Sequence, residues 1–393
     1  MSPAAQRNVR LLSAFNFCSD FRVYAPIMVI YFQQVTGSYA LAVLLFSIAK
    51  IASSVFEVPT GTLSDLAGRK LALLLGQIAS VLSIALYALG RDFAVLAGGA
   101  VLEGLAFALF SGNNVALLYD TLKGEGAEGD FAHWQGRVSS MFQSALAVSA
   151  AVATLALVWL PLRTMFVLSV VPQIAGLVVA VFFVEPRRGG RTIPTNIFAH
   201  LRDAVAGFVR DARLRELSLA AMLGFGLGEA QHMFYPAFFA LFWPPWALGI
   251  AGLLTHAFGA VGFRGAGRLI ARFREFSVVL WCNVGGIAIG ALAVGIPTVA
   301  SPAISTMGSF LFGPGVVAQG SLMQKAFSDA QRATMASLIS LGGNILFAIA
   351  VFALGWAADR IGPRYALLIA QLLSIPVALL YWRLYRSVRT QGA

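Results

Sequence analysis

The chain has 393 residues, of which 59% are hydrophobic and only 11% charged, and its mean hydropathy is +0.79. Soluble domains average roughly half apolar and a quarter charged residues, so a water-soluble fold of this length is excluded. The net charge of +11 comes from basic residues spread over short connections between apolar runs, which argues against a nucleic-acid partner and for orientation signals in a lipid bilayer.

Crossing a bilayer core of roughly 30 Å takes about 20 apolar residues. Twelve such runs lie at 10–33, 40–63, 71–90, 93–119, 138–161, 164–184, 217–243, 246–270, 277–296, 298–322, 333–357 and 364–385. The first is too long for a signal-peptide core and no small-residue cleavage pattern follows it, so it is expected to stay as a span. With both termini cytoplasmic, 22 of the 28 Lys and Arg fall in cytoplasmic segments or at the cytoplasmic ends of spans, four lie outside or at an outer span end (Arg91, Arg163, Arg360, Arg364) and two lie deep within spans (Arg22, Lys50). That asymmetry is the positive-inside pattern for an even number of spans. All seven tryptophans, Trp134, Trp159, Trp243, Trp246, Trp281, Trp356 and Trp382, sit near predicted span ends, as an aromatic belt requires. Cys18 and Cys282 fall inside apolar runs and read as buried free thiols. The expectation is an all-α, multi-pass protein of the bacterial cytoplasmic (inner) membrane.

Between the sixth and seventh spans, residues 185–216 are polar and Arg-rich, yet carry Ile197, Phe198, Leu201, Val205, Phe208 and Val209 at helical spacing. This stretch is an amphipathic helix on the cytoplasmic face or a solvated linker. Either way it separates an N-terminal bundle, 1–184, from a C-terminal one, 217–393. FRVYAPIMVIYF in the first span lines up with QHMFYPAFFALF in the seventh, setting Pro26 against Pro236 and Arg22 against His232, and the fifth and eleventh spans both open with an arginine, Arg137 and Arg332.

An ionisable side chain at mid-bilayer costs about 2.5 kcal/mol or more, so each needs a partner or a purpose. Asp20, Arg22, Lys50, Glu57, Glu103 and Glu229 are such residues, with His232 and His256 beside them. On a continuous first helix Asn16, Asp20 and Tyr24 share a face, while Arg22 points about 200° away from Asp20. Lys50, Ser54, Glu57 and Gly61 form one polar stripe on the second span. The expected pairs are Asp20 with Lys50 and Arg22 with Glu57. They are either structural ion pairs or part of a proton-handling set in which Asp20, Glu103 or Glu229 loads and releases a proton. Glu103 and Glu229 lack an obvious cation partner, which favours them as carriers. On the seventh span Glu229, His232 and Tyr235 or Pro236 share a face, around a hydrogen-bonded buried histidine unless the face lines the substrate cavity that the resemblance given below implies.

The connection after the second span, EVPTGTLSDLAGRK at 57–70, resembles the signature loop of major facilitator transporters, G-x-L-x-D-x-x-G-R-K, with Gly61, Leu63, Asp65, Gly68, Arg69 and Lys70 in full register. The resemblance implies twelve transmembrane helices in two pseudo-symmetric six-helix bundles. It also implies a small-molecule substrate, alternating access around a midplane site, and a monomer without cofactor or metal. In that frame Gly61 permits close helix approach, Asp65 meets a helix N-terminus, and Gly68 turns the chain so that Arg69 points back. The family's arginine also meets an acid at the end of the fourth span, here Asp120. Asp65, Arg69 and Asp120 would then latch a cytoplasmic gate, unless the loop serves only to orient insertion. The counterpart GAGRLIARFRE keeps Gly267 and Arg272 but has Ala271 in place of the acid, and a further family-like string, GWAADRIGPR at 355–364, falls outside. Family geometry adds Asn113, Gln143 and Asn344 to the cavity candidates Asn16, Arg22, Tyr24, His232 and Tyr235.

The pattern also breaks. The fourth span reads AVLEG, with Ala100 where proton-coupled members carry arginine and Glu103 just before Gly104, and the fifth span lacks the Gly-Pro motif of drug antiporters. The leading expectation is proton-coupled efflux of an amphipathic compound. The alternative is proton-linked uptake, or facilitated passage, of a polar solute such as a sugar or organic acid, with Arg22 and His232 as contacts. A membrane-embedded enzyme or sensor is the remote third, since no HExxH, GxSxG, paired CxxC or P-loop string is present.

Overall fold

The computed structural model describes residues 2–185, 212–327 and 329–391, so the amphipathic stretch expected at 195–209 lies outside the described residues. Among the described residues every regular element is helical. Among the described residues eight helical stretches are long and apolar enough to cross a membrane, and the last, Leu338–Ser387, is 50 residues long and holds two crossings. The other three crossings are the first span, Ala212–Phe239 and Ser301–Ala326. These complete twelve. The three that fail the apolar criterion hold Asp20, Glu229 and a run of small and polar residues, the composition of helices that cannot face lipid all round.

The chain divides into two compact units, one comprising 1–192 with Pro245–Leu253, the other 193–244 with 254–393. In the first, α1 (Pro3–Asp20) begins at Ser2, whose hydroxyl accepts the Ala5 N–H as an N-cap. The first span is not the continuous helix its hydropathy suggests. After Asp20 the chain unwinds, makes one 3-10 turn (Ala25–Ile27), and resumes as α2 (Met28–Thr36). Pro26 removes a backbone donor and crowds the preceding turn, and the Val23 N–H turns aside to the Ser169 hydroxyl at 2.9 Å. α3 (Tyr39–Ala67) and α4 (Arg69–Leu89) meet at Gly68. The fourth span also breaks, into α5 (Phe93–Phe110) and α6 (Asn113–Lys123), at Gly112 with φ 70°. Helices α7 (Phe131–Ala156) and α8 (Leu162–Val181) complete the unit.

Lipid supplies no hydrophobic drive between helices, so packing and internal polar bonds hold the bundle. Gly104 of α5 crosses α3 so closely that a Cβ would fall on the Ala49 carbonyl and within 2.6 Å of the Ala52 methyl. Arg163, at the start of α8, donates to the Gly90 carbonyl at 2.7 Å and so closes the C-terminal end of α4.

The rest of the chain repeats this plan with α9 (Ala212–Phe239), α10 (Pro245–Phe273), whose start up to Leu253 belongs to the first unit, α11 (Glu275–Gly295), α12 (Ser301–Ala326), α13 (Asp329–Leu373, kinked at Gly362) and α14 (Ile375–Gln391). Arg364, just past the kink, donates to the Val294 carbonyl at 3.1 Å and the Gly295 carbonyl at 2.9 Å, closing α11 as Arg163 closes α4. The end of the third span is thus sealed from the start of the sixth, and the ninth from the twelfth.

Candidate functional site

The break after Asp20 sets the charges of the first unit. With the helix unwound, Arg22 does not take a helical direction towards Glu57. Its guanidinium lies 3.6 Å from a Glu103 carboxylate oxygen and 5.0 Å from the Phe107 ring centroid. Glu103 accepts a second contact from the Tyr87 hydroxyl at 2.8 Å. The expected Arg22–Glu57 pair is therefore replaced, Glu57 is exposed, and Glu103 has the cation partner it was thought to lack. The Asp20–Lys50 pair does not form either, although Lys50 has other interactions. Asp20 ends α1, partly exposed, with no side-chain hydrogen bond or ion pair among the described residues. It sits where the helix dipole is negative, beside the Phe17 and Phe21 rings, whose centroids are 5.6 Å apart. Tyr24, placed with Asn16 and Asp20 by a continuous helix, is 2% exposed and stacks on Phe166 at 4.6 Å, so it belongs to the aromatic core. Asn16 remains partly exposed on α1, and Gln143 is exposed on α7.

Beneath the break lies a buried amide network that the sequence reading missed. Gln173 donates to the Ser19 carbonyl at 2.8 Å, Gln77 donates to the Gln173 side-chain oxygen at 2.7 Å, and the Ser19 hydroxyl donates to Gln77 at 2.8 Å. These bonds satisfy the carbonyls left open where α1 ends. Glutamines in the middle of apolar runs were the available signal.

In the second unit Glu229 is partly exposed on α9 and, like Asp20, has no side-chain hydrogen bond or ion pair among the described residues. His232 is exposed, and the His256 imidazole lies within electrostatic reach of it. Tyr235 instead accepts from Gln371 at 2.8 Å, while Gln231 donates to the Ala370 carbonyl at 3.1 Å and the Ser374 hydroxyl at 2.9 Å, tying α9 to the far end of the unit. Asn344 is partly exposed on α13. Asp20 and Glu229 thus each lack a side-chain hydrogen bond or ion pair among the described residues, on spans anchored by glutamines, and Arg22 lies within electrostatic reach of Asp20.

The signature loop is built differently from the expected latch. Asp65 pairs with Arg69 at 2.8 Å one turn apart, and Gly68 adopts φ 113°, a conformation open to glycine. Arg69 also donates to Ser64 and, at 3.1 Å, to the Asn113 side-chain oxygen. Asp120 makes no such contact. Asn113, a cavity candidate by sequence, is 3% exposed and bonds Arg69 of the signature loop. It is the first residue after the Gly112 break, which turns it towards α4. The acid at the helix N-terminus is Glu185, not Asp65: its two oxygens accept the Arg69 and Lys70 N–H groups at 2.9 and 2.8 Å. Asn8 positions it by bonding the Val184 carbonyl at 2.9 Å and the Val184 N–H at 3.0 Å. A Cβ at Gly61 would meet nothing within 4 Å, so the close helix approach assigned to it is absent. In the second unit Glu275 opens α11 and accepts from Lys325 and, at 3.2 Å, from Ser321.

A family model described as Major Facilitator Superfamily matches residues 10–350. No curated protein sequence matches the chain. Among solved structures, a variant of the nucleoside transporter NupG aligns with a TM-score of 0.81 at 14% identity, covering 96% of this chain and 100% of that one. A bacterial homologue of the iron transporter ferroportin, in its inward-facing state, aligns at 0.75 and 14%, covering 98% and 99%. A D-xylose-proton symporter aligns at 0.73 and 13%, covering 97% of each chain. At such identities the likeness is one of fold.

Proposed function

Because the chain belongs to the major facilitator superfamily, whose model spans most of its length, we propose that it is a secondary active transporter exporting a small amphipathic organic compound across the bacterial cytoplasmic membrane in exchange for protons. The family and the solved neighbours point to a transporter rather than an enzyme. The observation that supports coupling is a carboxylate in each unit that makes no side-chain hydrogen bond or ion pair among the described residues, Asp20 on the interrupted first span, with the charge of Arg22 in electrostatic reach, and Glu229 on the seventh. A carboxylate within a membrane that lacks a bonded partner is costly, and a proton or a cationic substrate group removes that cost. One carboxylate in each unit gives alternating access two places at which to exchange them. Glu103 is withdrawn from this role by Arg22 and Tyr87. Uptake of an anionic solute by Arg22 would require that guanidinium to be free, and Glu103 holds it.

The test is proton movement in energised inside-out vesicles, read with a pH-gradient dye while candidate compounds are added. Dye recovery that is lost in Asp20→Asn or Glu229→Gln, and kept in Glu103→Gln, is the expected result. No recovery across a broad panel, or recovery untouched by Asp20→Asn and Glu229→Gln, would sink the proposal.

A further inference from the structure

The two halves share one turn and fill it with opposite chemistry. α3 ends at Ala67, Gly68 reverses the chain, and α4 starts at Arg69; α10 ends at Phe273, Arg274 reverses the chain, and α11 starts at Glu275. The turn residues have φ/ψ of 113°/153° and 64°/157°, so Gly68 and Arg274 are structural counterparts, and Gly61 corresponds to Gly267 in the same register. Arg274 is the one non-glycine residue with positive φ among those described. Its conformation lies in a region essentially reserved for glycine. A chain that needed only the turn would keep glycine there.

The same register places Arg264, Arg268 and Arg272 opposite Val58, Thr62 and Leu66. All six are exposed, so the positions do not require arginine for packing. The three arginines repeat every four residues and form one stripe along the end of α10. Arg264, Arg268 and Arg274 have no carboxylate partner among the described residues, and Arg272 stacks on Phe273 at 5.4 Å. Glu275, the nearest acid in sequence, is taken by Lys325 and Ser321. Measured along the helix from Pro245, Arg264 lies about 28 Å up and Arg272 about 40 Å, which spans the passage from hydrocarbon to headgroups at one leaflet. Four arginines thus stand where the other half has Val, Thr, Leu and Gly, one of them in a strained backbone.

We infer that this end of α10 is a binding site for the phosphate headgroup of an anionic phospholipid, with Arg264, Arg268 and Arg272 as a ladder and Arg274 at its outer rung. The leaflet is the cytoplasmic one if the orientation proposed above holds, but the binding chemistry does not depend on it. Guanidinium groups match phosphate oxygens in pairs, and lipid attraction to juxtamembrane arginines amounts to about fivefold in affinity for each.

The full chain is placed in nanodiscs of phosphatidylcholine, with and without phosphatidylglycerol, and the preference for spin-labelled phosphatidylglycerol over spin-labelled phosphatidylcholine is measured. The wild type should prefer the anionic lipid, and R264Q/R268Q/R272Q should lose that preference by about tenfold or more, while the three-lysine variant retains part of it. Equal preference in wild type and glutamine variant overturns the inference. Inorganic phosphate added to phosphatidylcholine discs is the second arm. If it stabilises the wild type as well as phosphatidylglycerol does, the site serves a soluble anion and the lipid assignment fails. Arg274→Gly gives an independent reading that does not risk the fold. It should melt higher than wild type in phosphatidylcholine, where only strain is removed, and lose that advantage in phosphatidylglycerol, where the charge is engaged. The same gap in both lipids would refute a role for Arg274.

Discussion

Replacing Glu103 with glutamine separates a structural charge from a proton carrier. At 3.6 Å and an effective dielectric of about 20, the Arg22–Glu103 attraction is about 4.6 kcal/mol before desolvation is counted. Truncating one partner of a buried pair costs about 3–5 kcal/mol, because the other charge is stranded. The side chains here are 18% and 13% exposed, which places the cost near the lower end, about 3 kcal/mol. Glutamine can still accept from Tyr87, so the loss isolates the charge. At about 2–4 °C per kcal/mol, Glu103→Gln should lower the melting temperature by about 6–12 °C. Adding Arg22→Met should recover much of this, with a coupling of about 2 kcal/mol in a double-mutant cycle. The assay is thermal unfolding of purified protein followed by tryptophan fluorescence, run beside the vesicle measurement. A Glu103→Gln protein that melts with the wild type and yet no longer couples to protons would refute the reasoning and make Glu103 the carrier.

Gln173→Leu should orphan the Ser80 hydroxyl and the Ser19 carbonyl at about 1–3 kcal/mol for each group, while Gln77 keeps its bond to the carbonyl of residue 173, seen as a lower melting temperature with unchanged helical circular dichroism. Gly104→Val should force α5 off α3 at Ala49 and Ala52 and cost about 1–3 kcal/mol or more, and Ala52→Gly should restore only a part of it, since the Ala49 carbonyl still clashes, as thermal unfolding of the two variants would show. Glu185→Ala removes the cap on α4 and should cost about 1 kcal/mol, with faster hydrogen exchange at the Arg69 and Lys70 amides as the local sign. The Ser2 hydroxyl and N–H hold Glu125 below its ordinary value of 4.5. A depressed folded value means that this tether is fully present above about 4.5 and fades as pH falls through the lowered value. Exchange at the Gln6 amide should therefore rise in acid for the wild type and show no such step in Glu125→Gln.

Composition and hydropathy were enough to read an all-helical, twelve-span chain, because membrane burial imposes a length and a polarity on every crossing. The signature loop carried the family. What sequence could not carry was direction. Arg22 was assigned by helical angles that assume an unbroken first span, and Pro26 with the diverted Val23 N–H removed that assumption. Asn113 was misplaced for the same reason, since Gly112 turns the fourth span just before it. Asp120 had the right charge for Arg69 but not the right place, while Glu185, a residue at the edge of a polar stretch, accepts the backbone N–H groups of Arg69 and Lys70 instead. Proline and glycine inside apolar runs were visible; which backbone bonds would be rerouted around them depended on partners more than a hundred residues away.

The short stretch Pro245–Leu253 belongs with the first unit although it is made after the seventh span. Gly249 presses on Thr154 and, with room for no side chain, on the Ala150 carbonyl of α7. During synthesis at about 5–20 residues per second, the 63 residues between Val181 and Pro245 take about 3–13 s to add. For that interval α7 is in the membrane without the neighbour it is shaped to receive. A growing chain is therefore held open at one seam by its own order of manufacture, and a ribosome stalled between residues 181 and 245 would leave a first unit that no later folding step can close.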